Sequence, residues 1–209
     1  INFSKLKKTF IIAEVGINHG GHLKKAFELI DAAKNNGANA VKFQTYITEK
    51  RVKDKKNKIY KILKKSELSF DDFIKKNNYC KKNKITFFST PFDIESVDFL
   101  ESINVPFYKI ASFDISNYQL INRIIKTKKP TIASTGMAKI DEIKKILLAF
   151  KNKKIQLCLL HCVSSYPNND EGSYLSNIQF LKNKFKCTVG ISDHTDDIKI
   201  PLYGVLLGA

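Results

Sequence analysis

Short apolar runs and longer amphipathic runs alternate along the whole sequence. The apolar runs fall at 10–15, 40–44, 85–89, 106–111, 130–134, 155–161 and 187–192. Most are rich in Ile, Val, Phe or Thr and have the length of strands. Successive apolar positions leave no polar face, which predicts strands covered on both sides, as in a parallel sheet. Between them the period changes to that of a helix. Residues 22–36 put Leu23, Ala26, Phe27, Ile30 and Ala33 on one face, with Gly37 placed to end the helix. Residues 139–152 do the same with Ile140, Ile143, Ile146, Leu147 and Phe150. The stretches 66–83, 94–103, 117–128, 173–184 and 196–207 read similarly. Seven strand–helix units with one compositional regime predict a single domain over 1–209.

Such a succession suits either a TIM barrel or an open doubly wound sheet. The first turn has Gly20-Gly21 but lacks the GxGxxG of a dinucleotide fold. Polar residues also recur at the C-terminal end of nearly every strand, not at one switch point. Both features predict an α/β fold of the TIM (β/α)8-barrel type. A barrel needs eight strands, so the chain is expected to be truncated before strand eight.

Composition narrows the function classes. Hydrophobic residues make up 43% and charged residues 27%, as in an ordinary soluble globular chain. No run approaches the roughly 18 to 20 apolar residues of a membrane span. The Lys-rich residues 1–10 lack the apolar stretch of a signal peptide, so a cytoplasmic location without membrane association is expected. The net charge of +16 attracts anions. Its cations are scattered over every predicted helix, and Phe87, Phe88, Phe92 and Phe107 lie in strand-like runs, so no nucleic-acid partner is expected. Cys80, Cys158, Cys162 and Cys187 form no CxxC pair and read as buried reduced thiols.

The candidate chemistry lies at the strand ends. Strand one ends in Glu14, Gly16, Asn18 and His19, and strand two carries Lys42 and Gln44 on one face. Strand three ends Ser89-Thr90-Pro91, and strand four carries Lys109 and ends at Ser112. Strand five ends Ser134-Thr135-Gly136-Met137; strand six ends at His161, followed by Ser164 and Tyr166; strand seven ends Ser192-Asp193-His194-Thr195. A lysine inside a strand covered on both faces is costly unless it meets a partner. Lys42 and Lys109 interrupt apolar runs in this way. Either could be a buried ion pair with Glu14 or another carboxylate. As a set, two lysines, several hydroxyls and the Gly136 backbone suit a phosphate. His194 is the best metal-ligand candidate. His19 divides between substrate contact and loop hydrogen bonding, His161 reads as a near-core histidine, and His22 as a cap or surface residue. The Lys-rich residues 50–65 read as a solvated loop or a mobile flap that draws in anions.

Six motifs, in order, resemble one family. They are Ala13-Glu-Val-Gly-Ile-Asn-His-Gly, Ala40-Val-Lys-Phe-Gln, Lys109-Ile-Ala-Ser, Ser134-Thr-Gly-Met, Leu160-His-Cys-Val-Ser-Ser-Tyr-Pro and Gly190-Ile-Ser-Asp-His-Thr. Together they resemble the sialic acid synthases and their legionaminic and pseudaminic relatives over nearly the whole chain. The resemblance implies a TIM barrel followed by an antifreeze-like domain, here absent, and a homodimer in the full-length protein. It implies condensation of phosphoenolpyruvate with an N-acetylated hexosamine, using a divalent metal such as Mn²⁺ or Mg²⁺. It implies that Lys42, Thr90, Lys109, Ser112, Ser134 and Ser192 hold phosphoenolpyruvate. Gln44 and Tyr166 would face the sugar. Glu14, Lys109 and His194 would be catalytic, with His194 also a metal ligand. A second metal histidine and a glutamate are implied on strand eight, outside this chain. Two further classes stay open: another phosphoenolpyruvate-dependent keto sugar acid synthase, and a non-catalytic fragment that binds a ligand or partner.

Overall fold

A computed structural model describes residues 1–209. Seven parallel strands are joined in sequence order: β1 (Ile12–Gly16), β2 (Ala40–Thr45), β3 (Thr86–Pro91), β4 (Tyr108–Ile110), β5 (Thr131–Ser134), β6 (Leu157–Cys162) and β7 (Val189–Ser192). Helices connect them: α1 (Leu23–Asn35), α2 (Thr48–Arg51), α3 (Lys58–Ser66), α4 (Phe70–Lys82), α5 (Ile94–Ser102), α6 (Tyr118–Lys126), α7 (Ile140–Asn152), α8 (Ser176–Phe185) and α9 (Lys199–Leu206). All seven expected strands and their helices are present. The difference lies in residues 50–65, read from sequence as a loop. Much of this stretch is helical, because Asn57 caps α3 by accepting from the Ile59 amide at 2.8 Å, and Leu63 finds a buried place.

The chain divides into two compact units, one of residues 10–108 and one of residues 1–9 with 109–209. In the first, β2 is the central strand. Its Val41, Phe43 and Thr45 alternate with Lys42 and Gln44, and all but Gln44 are buried. Phe43 meets Phe87 at 5.7 Å between ring centroids, and Phe73 of α4 meets the same ring at 6.3 Å. Caps fix where the helices begin. Ser69 accepts from the Asp72 amide at 3.1 Å, and Asp93 accepts from the Ser96 amide at 2.7 Å. The other carboxylate oxygen of Asp93 accepts from the Ile47 amide at 3.0 Å, tying the turn after β2 to the start of α5.

In the second unit, β5, β6 and β7 pair so that Ser134 lies beside Leu160, His161 beside Ile191 and Cys162 beside Ser192. Buried Ile143, Ile146 and Phe150 of α7 and Ile178 and Leu181 of α8 supply its core. The turns that leave five helices share one device. Lys84, Asn104, Lys128, Lys154 and Lys186 all have φ between 50° and 59°, and each leads within a few residues into the next strand. A left-handed residue reverses the chain after a helix. The recurrence of lysine and asparagine there, in place of glycine, reflects the composition of this sequence.

One core residue breaks the hydrophobic pattern. Lys76 of α4 is fully buried, and its Nζ has no hydrogen-bond partner. It stands 3.3 Å from the centre of the Phe73 ring and 4.1 Å from that of Phe43. Burial drives its pKa well below the ordinary lysine value, only partly opposed by Asp72. The two rings would favour a charged amine, yet burial is the larger effect and shifts the group toward its neutral form. The unfolded chain therefore holds one more proton between the two pKa values, and this residue's contribution to stability rises with pH across that window. Lys76→Met keeps the stem and removes the amine. It is expected to melt several degrees higher at pH 7, with a gain that shrinks as pH approaches the unfolded value near ~10.4. An equal or lower melting temperature at pH 7, read by circular dichroism, would contradict this.

Candidate active site

The residues singled out in the sequence gather in two groups, one in each unit. In residues 10–108 the parallel register sets Glu14 beside Lys42 and Gln44 beside Thr90. Lys42 is 9% exposed, yet its Nζ lies 2.6 Å from Glu14 Oε2 and donates to Thr90 Oγ1 at 3.0 Å. The ion-pair alternative considered for Lys42 is thus realised. Its partner sits at the edge, however, because the Glu14 side chain is 52% exposed and can turn into solvent. Gly16 makes this arrangement possible. Its φ is +55°, and a Cβ there would stand 3.2 Å from Glu14 Oε1 and 3.7 Å from Gln44 Nε2.

His19 is 1% exposed and closes the loop after β1, where its Nδ1 accepts from the Gly21 amide at 3.1 Å. Burial is the main cause that lowers its pKa to about 4, so it is a neutral acceptor at physiological pH. These contacts belong to loop hydrogen bonding. His22 occupies the N-cap position of α1 without a side-chain capping bond.

In the other unit, Lys109 is 6% exposed; its Nζ donates to Ser134 Oγ and, at 3.1 Å, to the Ile110 carbonyl. Ser112 follows on a 3-10 turn. Its Oγ accepts from the Gly136 amide at 3.3 Å and donates to Cys162 Sγ at 3.6 Å. His194 lies just past β7. Its Nδ1 faces the Val163 carbonyl at 2.6 Å, and a carbonyl can only accept, so Nδ1 carries a proton. Its Nε2 lies 2.7 Å from the Tyr166 hydroxyl, and the two rings overlap at 3.9 Å. The Asn168 amide donates to the His194 carbonyl at 2.8 Å, which ties the loop after β6 to the loop after β7. Ser192 and His194 share the lining of a small pocket with His161 and Ser173. His161 is buried, with Nε2 2.7 Å from the Ser173 carbonyl, in keeping with a near-core histidine.

The sequence marks Cys162 only as a buried thiol. It is buried, but it lies among Ser112, Lys109 and His194, its Sγ 4.0 Å from His194 Nδ1. Burial alone would push its pKa up; the hydrogen bonds from His194 and Ser112 and the positive charges outweigh this and bring it to about 7. Cys80 and Cys158 receive no such hydrogen bonds, and burial, outweighing nearby Lys76 and Lys109 respectively, pushes each up to about 12. His194 is raised above its usual value, burial being outweighed by Cys162 and the Val163 carbonyl. Arg51 is the other residue that sequence reasoning missed. It was hidden in the Lys-rich stretch, yet its guanidinium stacks 3.8 Å over the Phe92 ring and donates to Gln44 Oε1 at 3.3 Å.

No group of three His, Cys, Asp or Glu side chains is placed to hold a metal ion. His194 nevertheless has the form of a ligand. With Nδ1–H engaged by a backbone carbonyl, the Nε2 lone pair is the one that could meet a metal, as in histidines that bind metals, but here it accepts from the Tyr166 hydroxyl, which would have to turn away first. His194 alone among these residues could offer such a bond, through Nε2.

Comparison with known proteins decides the family. The model of the NeuB family matches residues 29–209. The chain belongs to the NeuB family. Among its relatives is the N,N'-diacetyllegionaminic acid synthase of Campylobacter jejuni, 39% identical over 98% of this chain and 66% of its own length. A solved N-acetylneuraminic acid synthetase from Leptospira borgpetersenii, in complex with citrate, superposes with a TM-score of 0.95 at 40% identity, covering 100% of this chain and 75% of that one. A truncated 3-deoxy-D-arabino-heptulosonate 7-phosphate synthase from Thermotoga maritima shares the fold alone, with a TM-score of 0.73 at 12% identity over 100% of this chain and 76% of that one. The NeuB chain described here spans 61 to 66% of the length of the curated relatives it matches first.

Gly136 supports the Ser112 side of this NeuB site with its backbone amide. A Cβ there would stand 2.6 Å from the Cys162 carbonyl oxygen and 2.8 Å from Ser164 Oγ. Gly136→Ala is therefore expected to destabilise the fold by roughly 1–3 kcal/mol through overpacking. Chemical denaturation measures this, and an unchanged midpoint would show that the β5 and β6 ends can move apart freely.

Proposed function

We propose that the protein condenses phosphoenolpyruvate with an N-acetylated hexosamine, N-acetylmannosamine or a related sugar, to a nine-carbon 2-keto sugar acid and phosphate. The observation that carries this reading is a pair of strand-borne, buried lysines with hydroxyl partners in a NeuB-family chain. Seven strand–helix units would form most of an eight-stranded barrel, and a homodimer of the full-length protein belongs to the same proposal.

The methylene carbon of phosphoenolpyruvate bonds to the aldehyde carbon of the open-chain sugar. Water adds to the carbon that bears the phosphate, and cleavage of its C–O bond releases phosphate and leaves the keto group. Two regions of charge need holding, the anionic phosphate and carboxylate and the oxygen of the aldehyde. Lys109, Ser134 and Ser112 offer an ammonium and two hydroxyls on adjoining elements, suited to anionic oxygens. Lys42 and Thr90 offer the same combination, and the half-exposed Glu14 can release Lys42 Nζ to an anion while staying on the Gly16 side. Fixed charges of this kind need no rearrangement as the transition state forms, which is why they weigh heavily in catalysis. Ser192 would add a hydroxyl, while Gln44 and Tyr166 would meet the sugar. His194 would give one ligand to Mn²⁺ or Mg²⁺, which when bound supplies a Lewis acid for the aldehyde oxygen.

The test is a panel of acceptors given to the full-length enzyme with phosphoenolpyruvate: N-acetylmannosamine, diacetamido-hexoses and arabinose 5-phosphate, each with and without a chelator. Release of phosphate and keto acid with an N-acetylated hexosamine, abolished by the chelator and restored by manganese, is expected. Turnover with arabinose 5-phosphate alone would overturn the choice of substrate.

A further inference from the structure

We infer that Arg51 is a positioning residue that fixes the side-chain amide of Gln44, so that its NH2 group is held toward an uncharged oxygen of the acceptor sugar. The inference rests on the reading of Gln44 as a sugar contact.

The amide of a glutamine can turn over, exchanging an acceptor for a donor at almost no steric cost. What decides its orientation is the hydrogen-bond partner at each end. A guanidinium has only donors, so the atom that faces Arg51 Nη1 at 3.3 Å must be Oε1. Nε2, with its two N–H groups, is then turned the other way. It lies 3.7 Å from the place where a Gly16 Cβ would stand, and Glu14 Oε1 lies 3.2 Å from the same point. Because Gly16 has no side chain, a donor and an acceptor border the same gap. That pairing suits a hydroxyl or an acetamido group better than a second anion, since Glu14 repels negative charge.

Arg51 is itself held in place. It ends α2, whose first residue Thr48 donates to Glu67 Oε2 at 2.8 Å. Its guanidinium lies 3.8 Å over the Phe92 ring and 5.4 Å from the centre of the Tyr46 ring. Stacking on an aromatic face fixes the plane of the donors, which a flexible ammonium would not do alone. The sequence of contacts runs from Phe92 and Tyr46 to Arg51, from Arg51 to Gln44, and from Gln44 toward the gap beside Gly16.

The experiment uses steady-state kinetics of the full-length enzyme with separate titrations of sugar and phosphoenolpyruvate. Arg51→Met keeps the stem but loses the donor; about a tenfold rise in sugar KM is expected, with kcat and phosphoenolpyruvate KM within about twofold of wild type. Arg51→Lys keeps a donor without the stacked plane and should recover only part of that loss. Gln44→Glu keeps the partner of Arg51 but removes the N–H groups, and should raise sugar KM at least as much. Unchanged sugar KM in Arg51→Met would overturn the inference. If Arg51→Met does not fold, unchanged sugar KM in Gln44→Glu would overturn it equally. Arg51→Lys as impaired as Arg51→Met would also do so, by assigning the effect to ring stacking. In each of these cases the wild-type enzyme still condenses an N-acetylated sugar, so the proposed function stands; absence of that turnover in wild type would remove both.

Discussion

Burying the ammonium of a lysine inside a parallel sheet is the constraint around which this protein is arranged. The penalty runs to several kcal/mol unless hydrogen bonds or opposite charge replace the lost water. Lys42 and Lys109 meet that requirement differently. Lys42 has Glu14 and Thr90, and Lys109 has the Ser134 hydroxyl and the Ile110 carbonyl. Each lysine is thus held ready beside a hydroxyl, close to a strand end where loops leave the sheet. Lys76 shows what happens without such partners: against two phenylalanine rings the amine is driven toward its neutral form.

Much of this was legible in the sequence, for identifiable reasons. Strands covered on both faces read as unbroken apolar runs, so a lysine within one is visible at once, and both site lysines were found that way. Alternation along β2 was enough to put Lys42 and Gln44 on one face. Less visible were contacts made by residues outside the strands. Arg51 sits in a Lys-rich stretch whose composition resembles solvated loop, and only the placement of Phe92 under its guanidinium shows otherwise. Cys162 was hidden for the opposite reason: an apolar strand end masks a thiol that meets Ser112 and His194 through residues far away in the chain. Lys76 does not stand out in the sequence, because helical periodicity does not reveal a buried exception.

Family membership and local geometry carry different parts of the reading. The match over residues 29–209 fixes the family. The geometry explains why these motifs take the form they do. The Asn-His-Gly loop ends with a histidine that bonds a glycine amide; Ser-Thr-Gly needs its glycine because the Cys162 carbonyl lies too close for a side chain; and in Ser-Asp-His-Thr the Asp193 carboxylate accepts from the Thr195 hydroxyl at 3.0 Å beside His194. Each motif is a backbone arrangement that presents one or two functional groups.

The most direct test of the lysines' role is calorimetric binding of phosphoenolpyruvate to full-length wild-type and Lys109→Met proteins at matched ionic strength. If the buried ammonium exists to hold that anion, dissociation should weaken by about a hundredfold, while the melting temperature of the methionine variant stays near or above that of wild type. Equal affinity in the two proteins would mean that Lys109 serves the sheet alone.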